Sequence, residues 1–199
     1  RDAIYTGAID WGFDHPFCIN IRAITPDKKM YGVSFFKGQG LSTSQQLELI
    51  KAKHNMFHVK HWSCGHDRPE QIAELNRLGI PAHKYFEFQP NYREVNPGNQ
   101  KHAELIKTKQ YRIFTNVEAK SELEDEYETY AWDKKEGEES GREKPVDFND
   151  DLMATERYNT IGSIHLLTQV QEKLKMPLGY YHRIDNWKPV VKKVDGDSY

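Results

Sequence analysis

The chain has 199 residues, 37% of them hydrophobic, which is enough for a core that buries roughly two-thirds of the unfolded surface. Its 28 lysines and arginines nearly balance 30 aspartates and glutamates, so the net charge of −2 excludes attraction to nucleic acid by overall charge. No apolar run approaches the roughly 18 residues of a membrane span, and the start at Arg1, without a leader, predicts a soluble and excised piece.

The first part of the chain predicts an antiparallel meander. Runs of β-branched and aromatic residues separated by short turns indicate three strands, at residues 4–9, 16–24 and 30–36. A helical spacing of apolar residues follows over residues 44–54, with Ser42, Thr43 or Ser44 as a possible N-cap. Residues 56–64 return to strand character.

The second part predicts alternating helices and strands. Pro69 and Gly79 have the positions of a helix start and a helix stop. A strand, a helix and a further strand are then expected at residues 83–88, 99–109 and 111–114. An acidic stretch from residue 121 leads into a solvated loop or hairpin tip at residues 134–142, and a closing helix starts at Asp150 and Asp151 and ends before Pro177.

This order of elements predicts an α/β fold, with a mixed sheet and helices on both faces. We expect one domain over residues 1–176 and a polar tail over residues 177–199. The two cysteines, Cys18 and Cys64, are far apart in a chain without a secretory signal, and they are predicted to be buried free thiols in a reducing, cytosolic setting.

Acidic residues stand where strands end and helices begin. Asp10 follows the first strand, Asp67 lies after the fourth, and Asp150 and Asp151 open the closing helix. Each has an ordinary structural alternative, a turn aspartate for Asp10 and helix caps for the others. Together, however, such carboxylates repel one another unless a cation neutralises them, and two Mg²⁺ or Mn²⁺ ions in such a cluster can activate water for phosphodiester hydrolysis.

A rival metal site would use zinc. Five possible ligands fall within thirteen residues, namely His54, His58, His61, Cys64 and His66. They lack a regular two-plus-two spacing, and neighbouring ligands on a strand would point to opposite faces. The chain also has no Gly-x-x-x-x-Gly-Lys-Ser/Thr phosphate cradle, so ATP hydrolysis by this piece is not expected.

Basic residues interleaved with tyrosines are candidates for contacts with DNA phosphates. Four of them form the preferred set: Lys101, Lys107, Lys109 and Arg112. Further candidates are Lys84, Arg93, Lys134, Lys135 and Arg142. The alternative is an ordinary solvated surface, because 29% charged residues is close to the average for a globular domain.

Several segments resemble the C-terminal nuclease domain of the large terminase subunit of tailed bacteriophages, which is ribonuclease H-like. The resemblance covers about residues 3 to 160. Its motifs are Gly7-Ala8-Ile9-Asp10-Trp11-Gly12, Arg68-Pro69-Glu70-Gln71-Ile72-Ala73-Glu74-Leu75, and Asn149-Asp150-Asp151 followed by Arg157-Tyr158. Relatives often carry the second acid four residues before the proline, where this chain has Gly65, and Ala154 occupies a later aspartate position.

The resemblance implies an endonuclease that cuts concatemeric double-stranded DNA during phage genome packaging in the cytoplasm of the infected bacterial host. Asp10 would bridge two ions, with Asp67 and Asp151 holding one each; Asp150 is the alternative to Asp151. The implied partners are double-stranded DNA, an ATPase domain of the same full-length protein, the small terminase subunit and the capsid portal. Two other functions remain open: a junction resolvase or transposase of the same fold, and a non-catalytic docking module.

Overall fold

Six strands form one mixed sheet, and helices cover both of its faces. A computed structural model describes residues 3–130, 132–133, 144–145 and 150–173 of the chain. The strands of the sheet are β1 (Ile4–Asp10), β2 (Phe17–Ile24), β3 (Met30–Gly38), β4 (Trp62–Cys64), β5 (Ala82–Lys84) and β6 (Tyr111–Ile113). The helices are α1 (Thr43–Phe57), α2 (Pro69–Arg77), α3 (Val95–Lys107), α4 (Lys120–Thr129) and α5 (Asp151–Lys173), with a 3-10 turn at Pro90–Tyr92.

The strand order is β5-β4-β1-β2-β3-β6. The first three strands pair antiparallel, as the predicted meander requires, whereas β4, β5 and β6 join by parallel pairing. A separate antiparallel pair links β7 (Trp132–Asp133) and β8 (Lys144–Pro145). The predicted α/β class with a mixed sheet is therefore confirmed.

Alternation along the strands divides the helices between the two faces. Ile9 and Ile19 point into an apolar core with Ile50 of α1 and Leu75 of α2. The opposite face of the same strands lies under α5, which α3 and α4 flank. α1 begins with a capping box, in which the Ser42 side chain accepts from the Gln45 backbone N–H and the Gln45 side chain accepts from Ser42 N–H.

The contact between α5 and the sheet is polar as well as apolar. Arg22 on β2 and Glu156 on α5 form an ion pair in which both side chains are fully buried. Glu156 also accepts hydrogen bonds from Asn20 at 3.0 Å and from Tyr111 at 2.5 Å. Arg22 donates to Thr160 at 2.7 Å, so each buried charge has both its counter-charge and further hydrogen bonds, although Arg22 Nε has no hydrogen-bond partner among the described residues. These contacts fix the position of the closing helix on the sheet.

The structure corrects two predicted strands and adds one helix. The strand expected over residues 83–88 is wrong in its second part, because only Ala82–Lys84 is strand and residues 85–88 form a turn. The strand expected over residues 56–64 is wrong in its first part, because α1 continues to Phe57 and ends where His58 adopts a left-handed φ of 51°. Only Trp62–Cys64 is strand. The acidic segment after residue 120 forms α4, which the sequence analysis does not predict. Residues 134–142 and the tail 177–199 lie outside the described residues.

Other expectations hold. The closing helix begins at Asp151, one residue from its predicted start, and α2 begins at Pro69. Cys18 and Cys64 are both buried and free. Within the described residues, no helix combines the length and apolar character that crossing a membrane requires.

Replacing Arg22 by Met leaves the Glu156 carboxylate buried without its counter-charge. We expect a loss of about 3–5 kcal/mol in the free energy of unfolding, measured by urea denaturation. Arg77→Met is the matched control, because Arg77 pairs with Glu74 in an exposed helical pair and its loss should change stability far less than the loss of Arg22. Equal effects of the two substitutions would contradict this account.

Candidate metal centre

Asp10 lies in a row of residues that crosses three adjacent strands. It is the last residue of β1 and pairs with Cys18 on β2, and Cys18 in turn pairs with Lys37 near the end of β3. Directly paired residues of neighbouring strands point to the same face of a sheet. Asp10 and Lys37 therefore share the face that lies under α5.

Asp67 reaches the same place from β4. The backbone N–H of Gly65 donates to the Ile9 carbonyl at 3.0 Å, which continues the β1–β4 pairing past Cys64. A Cβ placed on Gly65 would lie 3.0 Å from Asp67 Oδ1 and 3.3 Å from Asp10 Oδ1. The two carboxylates thus converge over a position without a side chain, and a larger residue at Gly65 would occupy the space between them.

The closing helix brings the remaining acids. The Asp150 carbonyl accepts from Ala154 N–H at 2.7 Å, so Asp150 has the N-cap position and Asp151 is the first helical residue. Asp151 Oδ2 lies 3.0 Å from the ammonium of Lys37. Both aspartates are half-buried. The four acids predicted from sequence therefore stand at one end of the sheet, beneath the start of α5.

The charge distribution around Asp10 reflects this convergence. Its pKa is raised from 3.8 to about 8, first because the carboxyl is buried, with the nearby charges of Asp151, Asp67 and Asp150 adding to the rise. The guanidinium of Arg157, a buried residue of α5, acts in the opposite direction. A bound cation would favour the ionised form of Asp10, so the donor chemistry of this place suits a hard divalent ion.

The acids are nevertheless not arranged as a closed metal site. Within the described ranges, no group of three or more His, Cys, Asp or Glu side chains is placed so that it could hold an ion. Two of the acids are ion paired instead, Asp151 with Lys37 and Asp67 with Arg68 at 3.7 Å. The interpretation of Asp67 as a helix cap is not supported, because Arg68 is the N-cap residue of α2 and makes no side-chain cap hydrogen bond.

Sequence reasoning missed Lys37. Its ammonium lies 2.7 Å from Glu126 of α4 and 3.0 Å from Asp151, although the sequence around it reads as an ordinary strand end. Glu126 is fully buried and accepts from the backbone N–H of Met153 at 2.9 Å. Its pKa is raised because it is buried, which Lys37 and the Met153 N–H partly offset. The strand register could have located Lys37, because Lys37 lies opposite Cys18 and Cys18 lies opposite Asp10.

The histidines form a cluster, but not the predicted zinc set. His61, His83 and His165 pack together, with ring centroids 4.9 Å apart for His61 and His83 and 5.7 Å apart for His61 and His165. Of the other residues proposed as zinc ligands, His58 and His66 are exposed and Cys64 lies in the core on the opposite face. The zinc alternative from the sequence is therefore wrong.

The predicted DNA-contacting residues lie elsewhere on the sheet. Lys107, Lys109 and Arg112 are exposed around β6, which pairs with the Met30 end of β3, and Lys101 pairs with Glu104 on α3. The length of β3 separates this end from Lys37, a distance of about 20 Å. Arg68, which pairs with Asp67, is exposed, as are Lys84 and Arg93; the guanidinium of Arg93 lies 5.5 Å above the ring of Phe86.

The same architecture occurs in proteins of known structure. No family model matches the chain, and no curated protein matches it. Among solved structures, the large terminase from a thermophilic bacteriophage, in its third crystal form, superposes with a TM-score of 0.68 at 20% identity, and the P22 large terminase nuclease domain with a TM-score of 0.66 at 16% identity. The chain has the ribonuclease H-like fold of the large terminase nucleases. The resemblance seen in the sequence is confirmed.

The extent of these matches differs. The chain covers 87% of the P22 nuclease domain with 85% of its own length, but it spans only 40% of the thermophilic-phage large terminase with 82% of its own length. A further match is the large terminase nuclease of thermophilic phage G20c, crystallised with bound magnesium, with a TM-score of 0.61 at 14% identity and coverage of 80% of this chain and 81% of that one. A terminase nuclease fold is thus common to proteins with very different sequences.

The histidine cluster predicts how stability depends on pH. Burial lowers the pKa of His83 from 6.5 to about 4, with a contribution from the neighbouring His165, and burial also lowers the pKa of His61, to about 3. The unfolded chain therefore takes up protons first as the pH falls below 6.5, so stability is present above that pH and is lost on acidification. At pH 5, His83 alone should account for about 1–2 kcal/mol of lost stability.

Urea denaturation at pH 7.5 and pH 5 tests this dependence. His83→Phe keeps an aromatic ring against Phe88, with which His83 makes an edge contact at 4.5 Å, and it should lose less stability on acidification than the unmodified protein. His58→Asn changes an exposed histidine at a left-handed position, outside the cluster, and should alter the pH dependence less than His83→Phe does. The same pH dependence in all three proteins would contradict the role given to the cluster.

Proposed function

We propose that this chain is a divalent-metal-dependent DNA endonuclease, and that it cuts concatemeric double-stranded DNA during phage genome packaging. One observation carries the proposal: the negative charges of Asp151, Asp67 and Asp150 all act on Asp10 at the end of the sheet, with Arg157 acting against them. Such a concentration of negative charge is costly without a cation. The terminase nuclease fold supplies the reaction class, since several proteins with this fold are named as nucleases.

In this proposal Asp10 would help to hold both of two Mg²⁺ or Mn²⁺ ions, Asp67 and Asp151 would each help to hold one of them, and Asp150 is the alternative to Asp151. Two such ions, when bound, supply activation of a water molecule and stabilisation of the leaving oxygen of a phosphodiester. The space over Gly65 between the Asp10 and Asp67 oxygens supports a ligand there. Solved terminase nucleases with bound manganese, magnesium and zinc support the choice of a divalent ion.

The chain alone lacks a recognisable ATP-binding motif, and it spans 40% of the thermophilic-phage large terminase. We therefore propose that it works as one domain of a longer protein whose ATPase domain moves the DNA. The small terminase subunit and the capsid portal are the partners that the resemblance implies. The proposed place of action is the cytoplasm of the infected bacterium, at the capsid during packaging.

We also propose that Lys101, Lys107, Lys109 and Arg112 contact DNA phosphates. Their distance from Lys37 along β3 corresponds to about six base pairs at about 3.4 Å per pair, so one duplex can reach both places. Phosphate contacts of this kind position the duplex without reading its sequence. Low sequence selectivity follows from the proposal.

Asp10→Asn should abolish cleavage, because an amide neither carries the negative charge nor offers two equivalent oxygens to a cation. The measurement is nicking of supercoiled plasmid in Mn²⁺. Asp27→Asn is the matched control, because Asp27 lies in the turn between β2 and β3, at the far end of those strands from Asp10, where it pairs with Lys29. That variant should cleave like the unmodified protein.

Plasmid nicking that persists in Asp10→Asn would overturn the nuclease assignment. Replacing the plasmid by a linear duplex and by a four-way junction separates the functions that share this fold. Cleavage of both the linear duplex and plasmid supports a packaging nuclease. Cleavage restricted to the junction would favour a resolvase, and folded protein without cleavage or Mn²⁺ binding would favour a docking module.

The triple variant Lys107→Ala, Lys109→Ala, Arg112→Ala should weaken binding to duplex DNA of any sequence. Each lost phosphate contact lowers the slope of log affinity against log salt by about 0.9. Fluorescence anisotropy at several salt concentrations measures that slope. Lys51→Ala is the control, because Lys51 is an exposed lysine of α1 outside the proposed set. An equal slope in the triple variant and the unmodified chain would remove these residues from the DNA interface.

A further inference from the structure

Lys37 is bound by two acids at once. Its ammonium lies 2.7 Å from Glu126 Oε1 and 3.0 Å from Asp151 Oδ2, and its side chain is only 15% exposed. Asp151 is almost equally enclosed, and Glu126 is fully buried. A lysine in such a place is a fixed positive charge rather than a mobile surface group.

The position of Lys37 is set from two sides. Lys37 is the third residue of the row in which Asp10, Cys18 and Lys37 lie opposite one another on adjacent strands. Its side chain is therefore on the same face of the sheet as Asp10. Glu126 uses one carboxylate oxygen for Lys37 and the other for the backbone N–H of Met153, two residues after Asp151. Glu126 therefore ties Lys37 to the first turn of α5 and holds it against Asp151.

An ammonium ion at this place affects any divalent ion that Asp151 would bind. It occupies Asp151 Oδ2, and its charge repels a second cation nearby, strongly where water is largely excluded. Asp67, by contrast, pairs with Arg68 in an exposed contact at 3.7 Å, the charge of Arg157 acts on Asp10, and the oxygens of Asp10 and Asp67 converge over Gly65. The two carboxylates therefore differ in how their ion-pair partners are held: the lysine at Asp151 is enclosed, whereas the arginine at Asp67 is exposed and free to be displaced by a metal ion.

We propose that Lys37 is the resident counter-ion of Asp151, so that the free protein takes up one divalent ion, beside Asp10 and Asp67, and a second ion binds only when Lys37 leaves Asp151. This inference rests on the proposed nuclease function and refines it. An incoming DNA phosphate is the anion that offers the ammonium another partner, which would couple loading of the second ion to the presence of substrate. Lys37 is in this view a positioning residue that acts through Asp151.

Counting bound Mn²⁺ tests the proposal without reference to activity. Titration of the metal-free chain, followed by isothermal calorimetry and by the loss of the free Mn²⁺ resonance signal, should give one ion for the unmodified protein. Lys37→Met removes the charge at similar size and should give two ions, or at least about a tenfold tighter second site. Lys37→Arg keeps the charge and should give one.

Two controls keep the result interpretable. Lys53→Met removes a similarly enclosed lysine, which forms an ion pair with Glu118 at 2.5 Å and donates a hydrogen bond to Ser34 at 2.9 Å. Lys53 is on the other face of the sheet, because Ser34 lies opposite Ile21 in the strand pairing and Ile21 belongs to the core on that face. The Lys53→Met variant should bind one ion. Because Lys37→Met leaves Glu126 buried without its partner, the double variant Lys37→Met, Glu126→Gln restores neutrality there and should also bind two ions.

Two equivalent ions in the unmodified protein, or no gain in both Lys37→Met and the double variant, would overturn the role of Lys37 while leaving the nuclease proposal intact. Absence of Mn²⁺ binding by every variant would instead remove both. A parallel assay of plasmid nicking adds a second readout: the Mn²⁺ concentration for half-maximal cleavage should fall in Lys37→Met and stay unchanged in Lys53→Met.

Discussion

The buried ion pair between Arg22 and Glu156 determines where the closing helix lies, and with it where the candidate metal centre forms. Two charges buried together cost several kcal/mol each in lost hydration unless they are fully partnered. Only one position of α5 gives Glu156 both Arg22 and the hydroxyl of Tyr111, and gives Arg22 the hydroxyl of Thr160. A helix held by apolar contacts alone could slide or rotate at lower cost. Asp151 lies five residues before Glu156 on the same helix, so the contacts that hold Glu156 also fix the position of Asp151.

The centre combines strand ends with one helix start, and its components differ in how they are held. Asp10 and Asp67 are placed by backbone pairing between β1 and the end of β4, which is independent of side-chain charge. Asp151 is placed by α5 and by Lys37. The proposed inequality of the two metal positions follows from this difference, because the lysine paired with Asp151 is enclosed, whereas the arginine paired with Asp67 is exposed.

Much of this arrangement was predictable from the sequence, because short residue patterns determine where strands end and helices begin. The strand-end position of Asp10 and the helix start at Asp151 follow from residue patterns within a few positions. The helix running to Phe57 was not predictable in this way, because its last turn exposes Met56 and so resembles neither a buried strand nor an amphipathic helix. Nor was Lys37, whose role depends on strand register and on α4. Likewise, Arg22 alternates with Ile21 as a half-exposed strand would, yet it lies under a helix.

The members of the centre come from opposite ends of the domain, Asp10 from its first strand and Asp151 from its last helix. On a ribosome, the amino-terminal strands emerge long before the helix that completes the acidic cluster. A nascent or prematurely terminated chain therefore cannot gather these carboxylates, however well its sheet has formed. The cluster is therefore assembled only after synthesis has passed Asp151 and the helix that it begins.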